Sequence, residues 1–184
     1  MGKEKMQTIF KLVFVILALA MLSGCAITNK YGPYMGKVVD KETNEPIDGA
    51  VVFIEFSTSK PNWGGSTTHY IDGAEVLTDN EGEFYLSPPR IWTFRWMEGW
   101  ERGTVIIFKP GYGVFPGHWD AIANYGRSQY MPRKEYITIK LPRLKNKEER
   151  KKNLRNIPYV DAPIEKHKTL SEYEKNESDY CYEK

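Results

Sequence analysis

A chain of 184 residues, 41% hydrophobic and 14% aromatic, is long and apolar enough to close a domain around a core, which excludes disorder throughout. Its formal net charge of +2 is carried by Lys3, Lys5 and Lys11 against Glu4, so everything after residue 24 is neutral. A neutral body has no electrostatic footprint for nucleic acid, and that class of partner is set aside.

Behind the amino-terminal lysines lies an unbroken apolar run, LVFVILALAML at 12–22. It is shorter than the ~20 residues that span a bilayer and suits the core of a signal peptide. Leu22, Ser23, Gly24 and Cys25 follow, and they resemble a bacterial lipobox. The resemblance implies that residues 1–24 are removed, that the Cys25 thiol receives a diacylglyceryl group, and that residues 25–34 form a lipidated linker. Each buried CH₂ adds ~0.8 kcal/mol, so two or three acyl chains would hold the protein on a membrane. By resemblance to didermal lipoproteins, Ala26 stands where an aspartate would favour retention in the inner membrane, so the resemblance implies the outer membrane.

The body begins near residue 35. Short β-branched and aromatic runs separated by Gly, Pro, Asn and Asp predict strands at 35–40, 50–56, 74–78, 83–86, 104–109, 112–115 and 136–141. Alternation is cleanest in the last, where Ile137, Ile139 and Leu141 share one face and Thr138 and Lys140 the other. Val52, Ile54 and Phe56 likewise share a face. Seven short strands without a helical period between them predict an all-β fold, a seven-stranded antiparallel sandwich over 35–142. The stretch 36–56 reads as two strands closed by a turn around Pro46. TDNEGEFYL at 78–86 reads as a tight hairpin, with Asp79 bonding the turn backbone and Gly82 at positive φ. Asp79, Asn80, Glu81 and Glu83 crowd there, but the run is too short for a calcium loop.

These segments carry a resemblance. GKVVDKETNEPIDGAVVFIEF, then LTDNEGEFYL, then VIIFKPGY at 105–112, are similar to the carboxypeptidase regulatory-like family through Gly36, Val38, Pro46, Ile47, Gly49, Ala50, Val52, Thr78, Asp79, Gly82 and Phe84. The match implies a prealbumin-like, Ig-like sandwich and a non-catalytic module. Two insertions, 57–70 and 87–102, depart from the family pattern.

Catalytic signatures are not found in the sequence. His69 and His118 fall in predicted loops, His167 falls in the tail, and no HExxH or paired CxxC spacing occurs. Hydroxyisourate hydrolases of the transthyretin-like kind end in Tyr-Arg-Gly-Ser, whereas this chain ends in Tyr182, Glu183 and Lys184. Intradiol dioxygenases need a close histidine pair that is missing here. Ser66 follows Gly64 and Gly65 without the strand-turn-helix elbow of a nucleophile. The expectation is a non-enzyme without cofactor or metal.

Binding is therefore the function to look for. Trp63, Trp92, Trp96, Trp100 and Trp119 all fall outside the predicted strands, and they are the candidate ligand-binding residues. They suit stacking on a glycan, engaging an envelope protein, touching lipid headgroups, or simply closing the open end of the sandwich. The i, i+4, i+8 spacing of Trp92, Trp96 and Trp100 fits a short helix. If consecutive strands run antiparallel, all five gather at one pole, opposite the turn at 79–82. The tail, 143–184, predicts a basic solvated helix at 144–157 and a second short helix at 163–176, either docked or offered to a partner. Cys181 is expected as a free thiol. Together these describe a lipid-anchored, non-enzymatic binding or structural module of the cell envelope, or else an assembly subunit.

Overall fold

The computed structural model describes Gln7, Lys11, Val13, Phe14 and residues 28–29, 32–87, 91–92 and 99–183. Its strands are β1 (Thr28–Asn29), β2 (Tyr34–Asp40), β3 (Val51–Asn62), β4 (Gly65–Leu77), β5 (Glu83–Leu86), β6 (Ile91–Trp92), β7 (Gly99–Phe108), β8 (Ile122–Ala123) and β9 (Tyr136–Leu141). Helix α1 (Lys147–Leu154), a 3-10 turn at Ile164–Lys166 and α2 (Lys168–Tyr182) follow. The chain divides into two compact units, Met1–Lys30 with Arg90–Trp96, and Tyr31–Pro89 with Met97–Lys184. In the first, β1 pairs antiparallel with β6.

The second unit is mostly β, with a four-stranded sheet ordered β5-β2-β9-β8, a three-stranded sheet ordered β4-β3-β7, and two carboxy-terminal helices. Tyr34 of one sheet stacks on Phe56 of the other, with ring centroids 6.1 Å apart, so the two sheets face each other. The four-stranded sheet is one-sided. Tyr34, Val38, Phe84, Leu86, Ile137, Ile139 and Leu141 are buried, while the residues between them are mostly half-buried or exposed. The three-stranded sheet is apolar on both faces: Val52, Ile54, Phe56, Val105 and Ile107 point inward, and Val51, Phe53, Ile106 and Phe108 point outward, all buried. A strand buried on both sides needs a second cover, and the tail supplies it. Leu170, Ala162, Ile157, Val160 and Tyr173 pack with Val51, Phe53, Ile106 and Phe108.

The tail is thus part of the core. Its basic helix α1 is largely exposed, as its composition dictates, yet Asn153 is fully buried, accepting from the Val114 amide (2.9 Å) and donating to the Tyr112 carbonyl (3.0 Å). Arg150 forms a two-pronged pair with the fully buried Glu177 of α2, with Nε 2.6 Å from Oε1, and stacks over Tyr180 at 3.9 Å. Lys147 and Lys151 lie over Tyr180 and Tyr182. Cys181 is free and buried in this seam, and burial pushes its thiol pKa up.

Two carboxylates from the outer face of the three-stranded sheet tie down the tail backbone. Glu55 accepts from the amides of Asp161 (2.9 Å) and Ala162 (3.1 Å), and Glu75 from those of Thr169 (2.8 Å) and Leu170 (3.2 Å). His167 gives α2 no side-chain cap, so Glu75 satisfies amides in its first turn from another element. Glu75→Ala is expected to cost about 1 kcal/mol, as loss of a cap does, and to speed amide hydrogen exchange at Thr169 and Leu170. Unchanged exchange there would mean that the cap is not formed.

The structure corrects several expectations. The sandwich is not wholly antiparallel, because β2 and β9 pair in parallel from Met35↔Tyr136 to Asp40↔Leu141. Residues 112–115 make isolated bridges, Tyr112↔Arg143 and Ile107↔Phe115, and no strand. The stretches 40–50 and 78–82 are corners between sheets and not hairpins, since β2 and β5 lie in one sheet and β3 and β4 in the other. The turn chemistry at these corners is as expected. Asp40 Oδ1 accepts from the amides of Glu42 and Thr43, and Asp79 Oδ1 from those of Glu81 and Glu83. Gly82 has φ of 74°, and a Cβ there would lie 2.5 Å from the Val38 oxygen, so both conformation and space demand glycine. Thr78 joins the corners, donating to the Ile47 carbonyl (2.6 Å) while accepting from the Ala50 amide (2.8 Å).

Candidate functional site

The predicted insertion at 57–70 is no loop. β3 and β4 continue through it as one ribbon, paired from Ser57↔Tyr70 to Asn62↔Gly65. Among the described residues the register with β7 ends at Ser59↔Gly99, and beyond it β3 and β4 pair with each other as far as Asn62↔Gly65. Phe56 is level with Tyr34 at the start of β2, so residues 57–62, at ~3.3 Å each, carry the tip roughly 20 Å past that level. Trp63 and Gly64 form the turn, and Trp63 is 110% exposed, free of cover on every side. Residues 64–69 are exposed as well.

Trp119 lies elsewhere. Its neighbour Asp120 pairs with Lys41, which follows β2 and donates its amide to the Leu141 carbonyl. That is the end of the sandwich where the corners lie and β3 begins. Trp63 is at the end where β3 finishes, about 35 Å away along a strand of this length. The expectation that all five tryptophans share one pole therefore fails, and no single site in this unit holds both rings. Trp92 and Trp100 have strand backbone, in β6 and β7, so a helix through Trp92, Trp96 and Trp100 is excluded. Trp96, the side chains of Trp92 and Trp100, and Cys25 lie outside the described residues.

Beside Trp119, which stacks on His118 at 6.0 Å, the histidine has a structural task. Its Nδ1 accepts from the Asp120 amide (3.1 Å), and burial holds its pKa below the usual imidazole value against the raising effect of Asp120. His69 is exposed on the ribbon, and His167 packs on Phe53 with centroids 5.6 Å apart. The three histidines thus stand on separate elements. Among the described residues no group of His, Cys, Asp and Glu is placed to hold a metal. Ser66 sits in β4 opposite Pro61, exposed.

An open cleft of about 610 Å³ lies between Asp40, Glu42, Thr43, Glu45, Arg143 and Lys145. Its charges answer one another. Burial pushes the Asp40 carboxyl pKa up, but the amides of Thr43 and Glu42 together with Arg143 outweigh this and hold it below the usual carboxylate range. Arg143 also donates to the Tyr112 hydroxyl (2.8 Å). Thr43 Oγ1 donates to the Glu45 carboxylate (3.2 Å), and the arrangement braces the corner.

What remains as a candidate site is the Trp63 tip, a ring held out on the β3–β4 ribbon at the end where β2 begins. No family model, curated protein or solved structure matches this chain. The class that the fold and site define is a two-sheet, mostly β domain capped by its own helical tail.

Proposed function

We propose that this chain is a membrane-anchored envelope lipoprotein whose domain serves as a non-enzymatic binding or structural module at the outer membrane. One observation carries the reading: lysines, an apolar run at 12–22 and Leu22-Ser23-Gly24-Cys25 stand in the order that lipid attachment at Cys25 requires. Among the described residues no helix is long and apolar enough to cross a membrane. The domain is a carboxypeptidase regulatory-like sandwich of the prealbumin-like kind. Support comes from its two facing sheets and from the resemblance residues themselves: Pro46, Ile47, Gly49, Thr78, Asp79 and Gly82 meet where the corners are stitched together.

A glycan is one ligand for exposed tryptophan, and an envelope protein is another. An assembly role through the tail helices has less to offer, because Leu170, Asn153, Glu177 and Cys181 are turned into the protein's own core. The reading is tested by feeding cells a clickable fatty acid. Wild type is expected to take up label in the membrane fraction and Cys25→Ala to take up none. Equal labelling of the two would end it.

A further inference from the structure

We propose that the Trp63 tip of the β3–β4 ribbon is a second membrane contact, seated among the phospholipid headgroups of the bilayer that holds Cys25. This rests on the anchor reading and adds an orientation to it. Tryptophan pairs an apolar ring with one N–H donor, which suits the boundary between acyl chains and water. Trp63 is exposed on all sides, with no concave wall among the described residues of the kind that encloses a sugar or a hot-spot side chain. The ribbon carries Lys60 and no acidic residue between Glu55 and Asp72, so nothing on it repels anionic lipid.

Reach agrees with this placement. From Cys25 to Tyr34 the chain spans at most about 30 Å when fully extended. The tip stands roughly 20 Å beyond the level of Tyr34, at the end where the chain enters β2. A bilayer surface at the tip is therefore within reach of the anchor while the corner end, with Trp119 and the Asp40 cleft, points away.

The full-length protein, with Cys181→Ala to remove the second thiol, is reconstituted into phosphatidylethanolamine and phosphatidylglycerol vesicles. A polarity-sensitive fluorophore is placed at Ser66→Cys beside the native Trp63, or at Trp119→Cys as the distal control. Lipids with a shallow nitroxide are expected to quench the Ser66 probe several-fold more than the Trp119 probe, and Trp63→Ala is expected to abolish the difference. A Ser66 probe quenched by aqueous iodide and not by lipid nitroxide overturns the proposal, as does equal shielding of both probes. A response to added polysaccharide without lipid quenching overturns it in favour of a glycan. Fatty-acid labelling of the same sample separates the two readings. A labelled protein with its tip in water loses only the contact, and an unlabelled protein with a shielded tip loses only the anchor.

Discussion

Ile139→Asp is expected to lower stability by ~4 kcal/mol or more, or to prevent folding, while Lys140→Asp one residue away costs under ~1 kcal/mol. Ile139 is fully buried on the inner face of β9, opposite Val38 of β2 and Ala123 of β8. A carboxylate there loses its water and faces apolar side chains from both sheets. Lys140 points outward and loses only a hydrogen bond to Asn44 Oδ1 (2.7 Å), exposed to solvent. At ~2–4 °C per kcal/mol for a domain of this size, the first variant should melt about 10 °C or more below the second. Equal melting temperatures would mean that β9 is in the wrong register. If Ile139→Asp does not fold, Ile139→Ala, at ~2–5 kcal/mol, carries the comparison.

Arg150→Met is expected to cost ~3–5 kcal/mol, the loss that follows when one partner of a buried ion pair is removed. Glu177 is fully buried, and its Oε1 receives Arg150 Nε at 2.6 Å and the Gly111 amide at 3.3 Å. Without the guanidinium one amide remains to a buried charge. The double variant Arg150→Met with Glu177→Leu removes both charges from the seam between α1 and α2 and should regain most of the loss. Urea unfolding of the two single variants and the double measures the coupling. Additive losses would show that the pair does not fasten the tail.

What the sequence made legible was local. The alternation in β9, the turn chemistry at Asp40 and Asp79 and the positive φ of Gly82 are each decided by neighbours a few residues away, and each appears in the structure. A turn does not say which sheet the next strand joins, so two corners read as hairpins. The parallel pairing of β2 with β9 joins the two ends of the sandwich sequence, and nothing local encodes it. The ribbon at 57–70 was missed because Ser, Thr, Gly and Pro give it the composition of a loop, while its partners hold it as a strand. A signal for the tail's docking was present: VVFI at 51–54 and VIIF at 105–108 are continuously apolar and do not alternate, which marks strands covered on both faces. Counting 112–115 as a strand shifted the parity of the poles and moved Trp119 to the wrong end. That Trp63 falls outside the strands was legible, but its projection at the tip of the β3–β4 ribbon was not.

Intact-mass analysis of the protein extracted from membranes with detergent tests the central claim most directly. A chain beginning at Cys25, its mass raised by a diacylglyceryl group with or without a further amide-linked acyl chain, is the predicted result. A protein that retains residues 1–24, or one that begins at Cys25 with an unmodified thiol, would contradict the lipid anchor and the envelope function proposed from it.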